Sequence, residues 1–210
     1  GVSRLKIFRA TLNNGKWDNI TELPFNSETY SVAHPTLSAD GSKLYFASDM
    51  PGTIGGTDIY VVDINSDGTY GSPKNLGTRV NTEARESFPY VTESGILYFA
   101  SDGHPGLGGL DVFATNLDNL NNSKVVNLGK PINSKEDDFS FIINETTKKG
   151  FFASNRETGI GGDDIYGFTE VKPLKFECNQ TIEGVVKDIE TGIPIAQAGI
   201  AVYNSLNEMV

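Results

Sequence analysis

One block of sequence returns three times at a fixed step, and that step limits what the chain can become. "LYFASDMPGTIGGTDIYVVDI", "LYFASDGHPGLGGLDVFATNL" and "FFASNRETGIGGDDIYGFTEV" align without a gap. Asp58, Asp111 and Asp164 stand 53 residues apart, as do Phe46, Phe99 and Phe152, and Ser48, Ser101 and Ser154. The glycine pairs Gly55-Gly56, Gly108-Gly109 and Gly161-Gly162 keep the same step. "NLG" at 75–77 recurs at 127–129, one residue short of the period.

Each unit parses into extended segments. In the first, "HPTLSADGSKLYFASD" predicts two strands around a turn at Asp40-Gly41, where glycine accepts a positive φ. "DIYVVDI" predicts a third strand and the segment ending in "KNLG" a short fourth. "KLYFAS" and "ILYFAS" are apolar almost throughout, which suits strands covered on both faces. Four short antiparallel strands in a unit of about 40–50 residues describe a propeller blade. Helical solenoids are excluded, because aromatic and β-branched residues dominate and no long 3.6-residue period exists.

The predicted fold class is therefore all-β. Residues 1–176 are expected to form a partial β-propeller, with blades at about 31–83, 84–136 and 137–176. In the third blade "VKPLKF" (171–176) stands in for the missing "NLG" strand. Residues 1–30 read as the end of an earlier blade: strand, Asn-Gly turn, strand. A ring takes at least four blades, so the polypeptide is expected to extend before Gly1. From 177 to 210 the repeat is gone. "TIEGVVKDIETGIPIAQAGIAVYN" alternates apolar and polar residues around a turn at Glu190-Thr191-Gly192, and predicts the beginning of a β-sandwich cut short.

The repeated turn has two readings. Asp58, Asp111 and Asp164 precede a strand, and Asp49, Asp102 and Asn155 follow one, where short polar side chains bond nearby backbone. Glycine at Gly55, Gly56, Gly108, Gly109, Gly161 and Gly162 supplies torsions that other residues reach only with strain. A structural need recurs in every blade, whereas a catalytic site occurs once, so shape is the favoured reading. Calcium binding by the paired acids is the alternative. Against it, Asn155 replaces an acid and the spacing matches no calcium loop. No catalytic residue, metal site or cofactor is assigned.

Other candidates are weaker still. His34 and His104 fall at different places in the repeat and read as surface or turn residues. Ser48, Ser101 and Ser154 have no recurrent histidine to activate them. Glu83 with Glu86, and Asp137 with Asp138, are acid pairs in blade connectors, where solvated loops explain them better than a glycosidase pair does. Cys178 is alone, so no internal disulfide forms. With 17 basic and 27 acidic residues the net charge is −10, which repels phosphate backbones and excludes nucleic acid as a partner. No apolar run approaches the roughly 20 residues of a membrane-spanning helix, and no signal peptide is evident.

"LSADGSKLYFASDMPGTIGGTDIY" resembles the WD-like propeller repeat of the TolB type, with Ser38, Asp40, Gly41, Ser48, Asp49, Gly56, Asp58, Ile59 and Tyr60 at its motif positions. The second unit departs at Thr92-Glu93-Ser94-Gly95 and the third at Asn144-Glu145. "IEGVVKDIETGIPIAQAGIAVYN" resembles the opening of a carboxypeptidase-regulatory-like β-sandwich. A propeller followed by such a sandwich resembles the OmpA-family cell-envelope proteins of Bacteroidetes, some of which belong to type IX secretion and gliding machinery. That resemblance implies a non-catalytic periplasmic scaffold associated with the outer membrane. Its partners would be other envelope or outer-membrane proteins, and it would be held to peptidoglycan by a domain outside this chain. The turn loops at 49–57, 102–110 and 155–163 would be its contact edge. The alternatives are a propeller hydrolase acting on glycan or peptide, and a calcium-stabilised surface adhesin segment.

Overall fold

The computed structural model describes residues 3–120, 122–176 and 183–202. Its strands are all antiparallel. A hairpin of β1 (Phe8–Asn13) and β2 (Lys16–Glu22) comes first. Asn14 and Gly15 turn it with φ of 50° and 77°, the torsions of a tight two-residue hairpin. Two four-stranded sheets follow in simple up-and-down order. The first holds β3 (Val32–Leu37), β4 (Lys43–Ser48), β5 (Asp58–Asp63) and β6 (Lys74–Asn75). The second holds β7 (Glu86–Val91), β8 (Ile96–Ser101), β9 (Asp111–Asn116) and β10 (Val126–Asn127). The third sheet has three strands, β11 (Asp138–Asn144), β12 (Lys149–Ser154) and β13 (Asp164–Thr169). These are the blades of a β-propeller.

The fourth strand expected from 171–176 does not form. Leu174 and Phe176 instead pack against the apolar cluster between the second and third blades. Partial burial of two large side chains holds this segment where strand pairing does not.

The apolar second strands behave as double-covered sheet requires. In β4 and β8 five of six residues are buried. Tyr45, Ala47 and Ile59 on one face of the first blade meet Val91, Leu97 and Phe99 of the second. Tyr98, Val112 and Ala114 of the second meet Phe141, Ile143 and Phe152 of the third. The other face of the first blade is closed by Ile7, Leu23 and Phe25, with Phe25 stacked on Phe46 at 4.9 Å. Burying side chains of this size supplies about 1.5–3 kcal/mol each, so the blades hold one another up.

The first strands β3, β7 and β11 lie side by side. Each carries a bulge at the same place, between Ala33 and Thr36, Ser87 and Tyr90, and Phe139 and Ile142. His34, Phe88 and Ser140 sit in these bulges with φ of 53°, 50° and 53°. Left-handed torsions are unfavourable in non-glycine residues by about 1–2 kcal/mol. Proline follows at Pro35 and Pro89, and lacks the N–H that a regular ladder would need. His34 stacks on Phe88 with centroids 3.8 Å apart, and Phe88 tilts against Phe139 at 5.0 Å. His34 is thus part of an aromatic row and not a turn residue.

Residues 178–210 form a separate unit. Among its described residues the chain makes one short hairpin. Lys187 bridges Pro194, Ile195 N donates to Val186 O at 2.9 Å, and Thr191 N donates to Asp188 Oδ1 at 2.8 Å. No longer strand of the expected sandwich is present in 183–202, and Cys178 lies outside the described residues.

Burial lowers the pKa of His34 below its ordinary 6.5, and its neutral Nδ1 accepts from Phe88 N at 3.4 Å. Below that ordinary value the unfolded chain takes up the proton first. The stability that neutral His34 contributes is therefore whole above about pH 6.5 and is lost as pH falls through the depressed folded value. Urea midpoints measured between about pH 5 and 8 should show an acid-side decline that His34→Phe, which keeps the ring, makes shallower.

Candidate functional site

The repeated turn was the strongest candidate for chemistry, and in each blade its acids are engaged by backbone. Asp58 is fully buried and accepts from Ile54 N at 2.7 Å and Gly55 N at 3.2 Å. Asp111, also fully buried, accepts from Leu107 N at 2.6 Å and Gly108 N at 3.1 Å. Asp164 accepts from Ile160 N at 2.8 Å and Gly161 N at 2.9 Å. A carboxylate here gathers the two amides of a turn that has no strand partner for them.

The acids at the end of the second strand do a different job. Asp49 Oδ1 accepts from Ser31 N at 2.5 Å, Asp102 Oδ1 from Arg85 N at 2.8 Å, and Asn155 Oδ1 from Asp137 N at 2.8 Å. Each donor is the residue just before its blade's first strand. One acceptor oxygen suffices for that bond, and asparagine has one. The third copy's Asn155 therefore keeps the function, and a metal, which would need the charge, is not required to explain the pattern. Asp102 also holds the Arg85 guanidinium at 2.6 and 2.8 Å.

The glycine pairs answer to space and not to torsion. None of Gly55, Gly56, Gly108, Gly109, Gly161 or Gly162 has a positive φ. A Cβ on Gly55 would lie 2.3 Å from Ala84 O and one on Gly108 2.4 Å from Glu136 O, both in the connector that enters the next blade. Backbone bonds cross the same joint. Gly56 N donates to Ala84 O at 2.5 Å, Glu86 N to Thr57 O at 2.8 Å, and Asp138 N to Leu110 O at 2.6 Å. In the third blade the pair has no such neighbour: nothing lies within 4 Å of a Cβ on Gly162.

The acid pairs differ from the solvated reading. Glu83 is exposed, but Glu86 and Asp138 are fully buried. Glu86 accepts from Thr82 N, Thr82 Oγ1 and Ser101 Oγ at 2.8, 2.7 and 2.7 Å. Asp138 accepts from Ser134 N and Ser134 Oγ at 2.6 and 2.9 Å and pairs with Arg156, whose guanidinium also lies 4.9 Å over the Phe152 and Tyr166 rings. Both acids pin a connector, and their lone pairs are spent on it. His104 donates to or accepts from Val80 O at 2.8 Å and leans on Phe99 and Phe113, so it is a packing residue. Ser48 Oγ donates to Ser31 O at 2.6 Å, with no base beside it.

Two residues escaped the sequence reading. Asn81 and Asn133 are buried, and each bonds both backbone groups of a third-strand residue. Ile59 N donates to Asn81 Oδ1 at 2.8 Å while Asn81 Nδ2 donates to Ile59 O at 3.0 Å. Val112 and Asn133 repeat this at 2.8 and 2.8 Å. The available signal was the longer match "NLGTRVN" and "NLGKPIN".

What the turns leave exposed is apolar. Ile54, Leu107 and Ile160 stand 53 residues apart at the three turn tips, and all are exposed. Between the second and third blades a cavity of about 430 Å³ is lined by Tyr98, Ile132, Phe141, Phe168 and Leu174, again largely apolar. Among the described residues no three His, Cys, Asp or Glu side chains converge as metal ligands would, and no helix is long and apolar enough to cross a membrane.

No protein-family model matches the sequence, and no curated protein does. Solved structures are similar in fold. TolB from Acinetobacter baumannii superposes with a TM-score of 0.51 at 16% identity, over 78% of this chain and 35% of that one. A protein from Agrobacterium tumefaciens described as TolB gives 0.47 at 17% identity, over 70% and 49%. An α-L-arabinofuranosidase from Lactobacillus brevis gives 0.44 at 13%, over 82% and 77%. Of these three, the first overlaps closely enough to bear on the fold, and it supports a β-propeller fold for the three blades like that of the TolB structure. The chain spans 35% and 49% of the two TolB structures.

Two outcomes separate these roles. Gly108→Ala should destabilise the chain by about 1–3 kcal/mol through the forced shift of the 135–136 connector, and Gly162→Ala by less than about 0.5 kcal/mol, read from urea midpoints. Asp49→Asn should stay within about 0.5 kcal/mol of the parent and Asp49→Ala should lose about 1–2 kcal/mol, with Tm unmoved by chelator in both.

Proposed function

We propose that this chain is a non-catalytic interaction module of the bacterial cell envelope, periplasmic and associated with the outer membrane. In that reading the propeller presents a rigid rim to other envelope proteins. A following carboxypeptidase-regulatory-like sandwich leads to an OmpA-type domain outside this chain that grips peptidoglycan. A place among type IX secretion components belongs to the same proposal, and rests on the resemblance in layout.

The observation that carries the reading is the division of labour in the turns. Their acids face inward onto amides of the same blade, while Ile54, Leu107 and Ile160 face out at equivalent points. A row of apolar tips on a stiff frame suits protein contact: the frame loses little entropy on binding, and each tip buries apolar area. Asp58, Glu86 and Asp138, with both oxygens bonded to donors, are not set to move protons on a substrate, and the one unpartnered oxygen of Asp111 is sealed from solvent.

The test is a pull-down from detergent-solubilised envelope with the full-length protein. The parent should recover outer-membrane and secretion components. The triple variant Ile54→Ser, Leu107→Ser, Ile160→Ser should lose most of them while its Tm stays within about 4 °C, as surface changes allow. Equal recovery by the variant would remove the rim as the contact surface.

A further inference from the structure

Among the described residues the third blade lacks something the first two share. In those, the third strand is closed on its outer edge by a two-residue strand, then a glycine with left-handed torsion, then an asparagine. Leu76 N donates to Ile59 O and Leu128 N to Val112 O, each at 3.1 Å. Gly77 and Gly129 have φ of 80° and 63°. In the first blade Asn75 Nδ2 also donates to the Asp58 carboxylate at 2.5 Å, whereas in the second Asn127 Nδ2 turns to Pro105 O at 3.4 Å and Asp111 Oδ1 has no partner. Asn81 and Asn133, six residues beyond Asn75 and Asn127, clamp the N–H and C=O of Ile59 and Val112, and each donates to the earlier asparagine's Oδ1 at 2.8 Å.

β13 presents the same fittings without the segment. Ile165 pairs with Ala153 in the register in which Ile59 pairs with Ala47 and Val112 with Ala100. Its N–H and C=O therefore point to the outer edge. Ile165 is 78% exposed where Ile59 and Val112 are 0%. Both bonds to Asp164 arrive at Oδ2, as both bonds to Asp111 do. Among the described residues no strand pairs with this edge. An exposed strand edge is a template for another chain.

We propose that the outer edge of β13 is a docking groove for an extended segment of a partner polypeptide reading Asn-Leu-Gly with a second asparagine six residues after the first. This rests on the reading of the chain as an interaction module and names the chemistry of one partner. The segment adds as a strand: its leucine N–H meets Ile165 O, its second asparagine takes both backbone groups of Ile165, and its first asparagine accepts from the second. Strand addition draws affinity from main-chain bonds and specificity from alternate side chains. A second copy of this chain is a poor donor. Its own matching segments, 74–81 and 126–133, are held in place with Asn81 and Asn133 buried, and releasing one would open a blade.

A fluorescein-labelled peptide of residues 125–134, VVNLGKPINS, tests this against the 210-residue chain by anisotropy. Saturable binding is expected, with slowed amide exchange at Ile165. The peptide carrying Asn127→Ala and Asn133→Ala should bind at least about tenfold more weakly, because losing the Asn133 clamp and the Asn127 oxygen that orients it leaves β13 groups unpaired. Equal binding by that peptide, no binding, protection confined to other strands, or concentration-dependent dimerisation of the chain would each overturn the groove. If the peptide fails while the rim variant still loses its envelope partners, the interaction module stands and the groove alone falls.

Discussion

A sheet with two apolar faces cannot stand alone in water, and the rest of the structure follows from that constraint. Tyr45, Ala47 and Ile59 on one side of a blade, and Phe46, Tyr60 and Val62 on the other, are all buried. No single four-stranded sheet can cover both sets. Each blade must be sandwiched, and the connector between blades must be short and closely applied. Hence the turn before the third strand carries glycines that let the next connector approach to contact. Hence also an aspartate behind them gathers the amides that the turn leaves without a ladder. Close approach and amide satisfaction are two halves of one joint, which is why they repeat as a unit.

The same joint takes up many of the acids that the repeat supplies. A carboxylate poised for catalysis needs a free lone pair or a pKa set by an unmatched environment. Asp58, Glu86 and Asp138 are buried with donors aimed at both oxygens, and Asp111 keeps one buried oxygen without a partner. The interchange of Asp102 and Asn155 at one structural place makes the point sharply. A role in shape needs one oxygen, whereas a role in charge would not survive the amide. In the proposed reading, contact falls to the surfaces the joint does not use: the turn tips, and the edges where a strand stops.

Much of this was legible in the residues. The 53-residue step gave blades, strand order and the inward sense of "LYFAS", because side-chain periodicity and burial are written locally. What was hidden depends on contacts between segments. The glycine pair looked like a demand for unusual torsion, and only the Ala84 and Glu136 carbonyls show that it is a demand for room. Glu86 sits 54 residues after Val32 and Asp138 only 52 after Glu86, so the rigid step misaligned the first strands and concealed their shared bulge. That slip kept His34, Phe88 and Ser140 from being recognised as one position. It also left Glu86 and Asp138 looking like loop acids. Asn81 and Asn133 were passed over since an asparagine near a glycine reads as turn chemistry. Its actual role, imitating a strand partner for one residue, requires knowing which strand lies beside it.

The third blade separates two demands that the first two satisfy together. Its face exposes Phe151, at 54%, where Tyr45 and Tyr98 are buried. Its edge exposes the backbone of Ile165 where Asn81 or Asn133 would clamp. The face asks for apolar volume and is indifferent to sequence detail, since any well-shaped hydrophobic layer removes the same water. The edge asks for hydrogen bonds at fixed spacing and is particular, since an amide left unpaired there is worse than one left in water. A ligand that fills only the edge must therefore be chosen by its asparagines, while one that covers only the face is chosen by its bulk. That difference in kind is what lets a single pair of side-chain deletions tell strand addition from nonspecific adhesion to the exposed sheet.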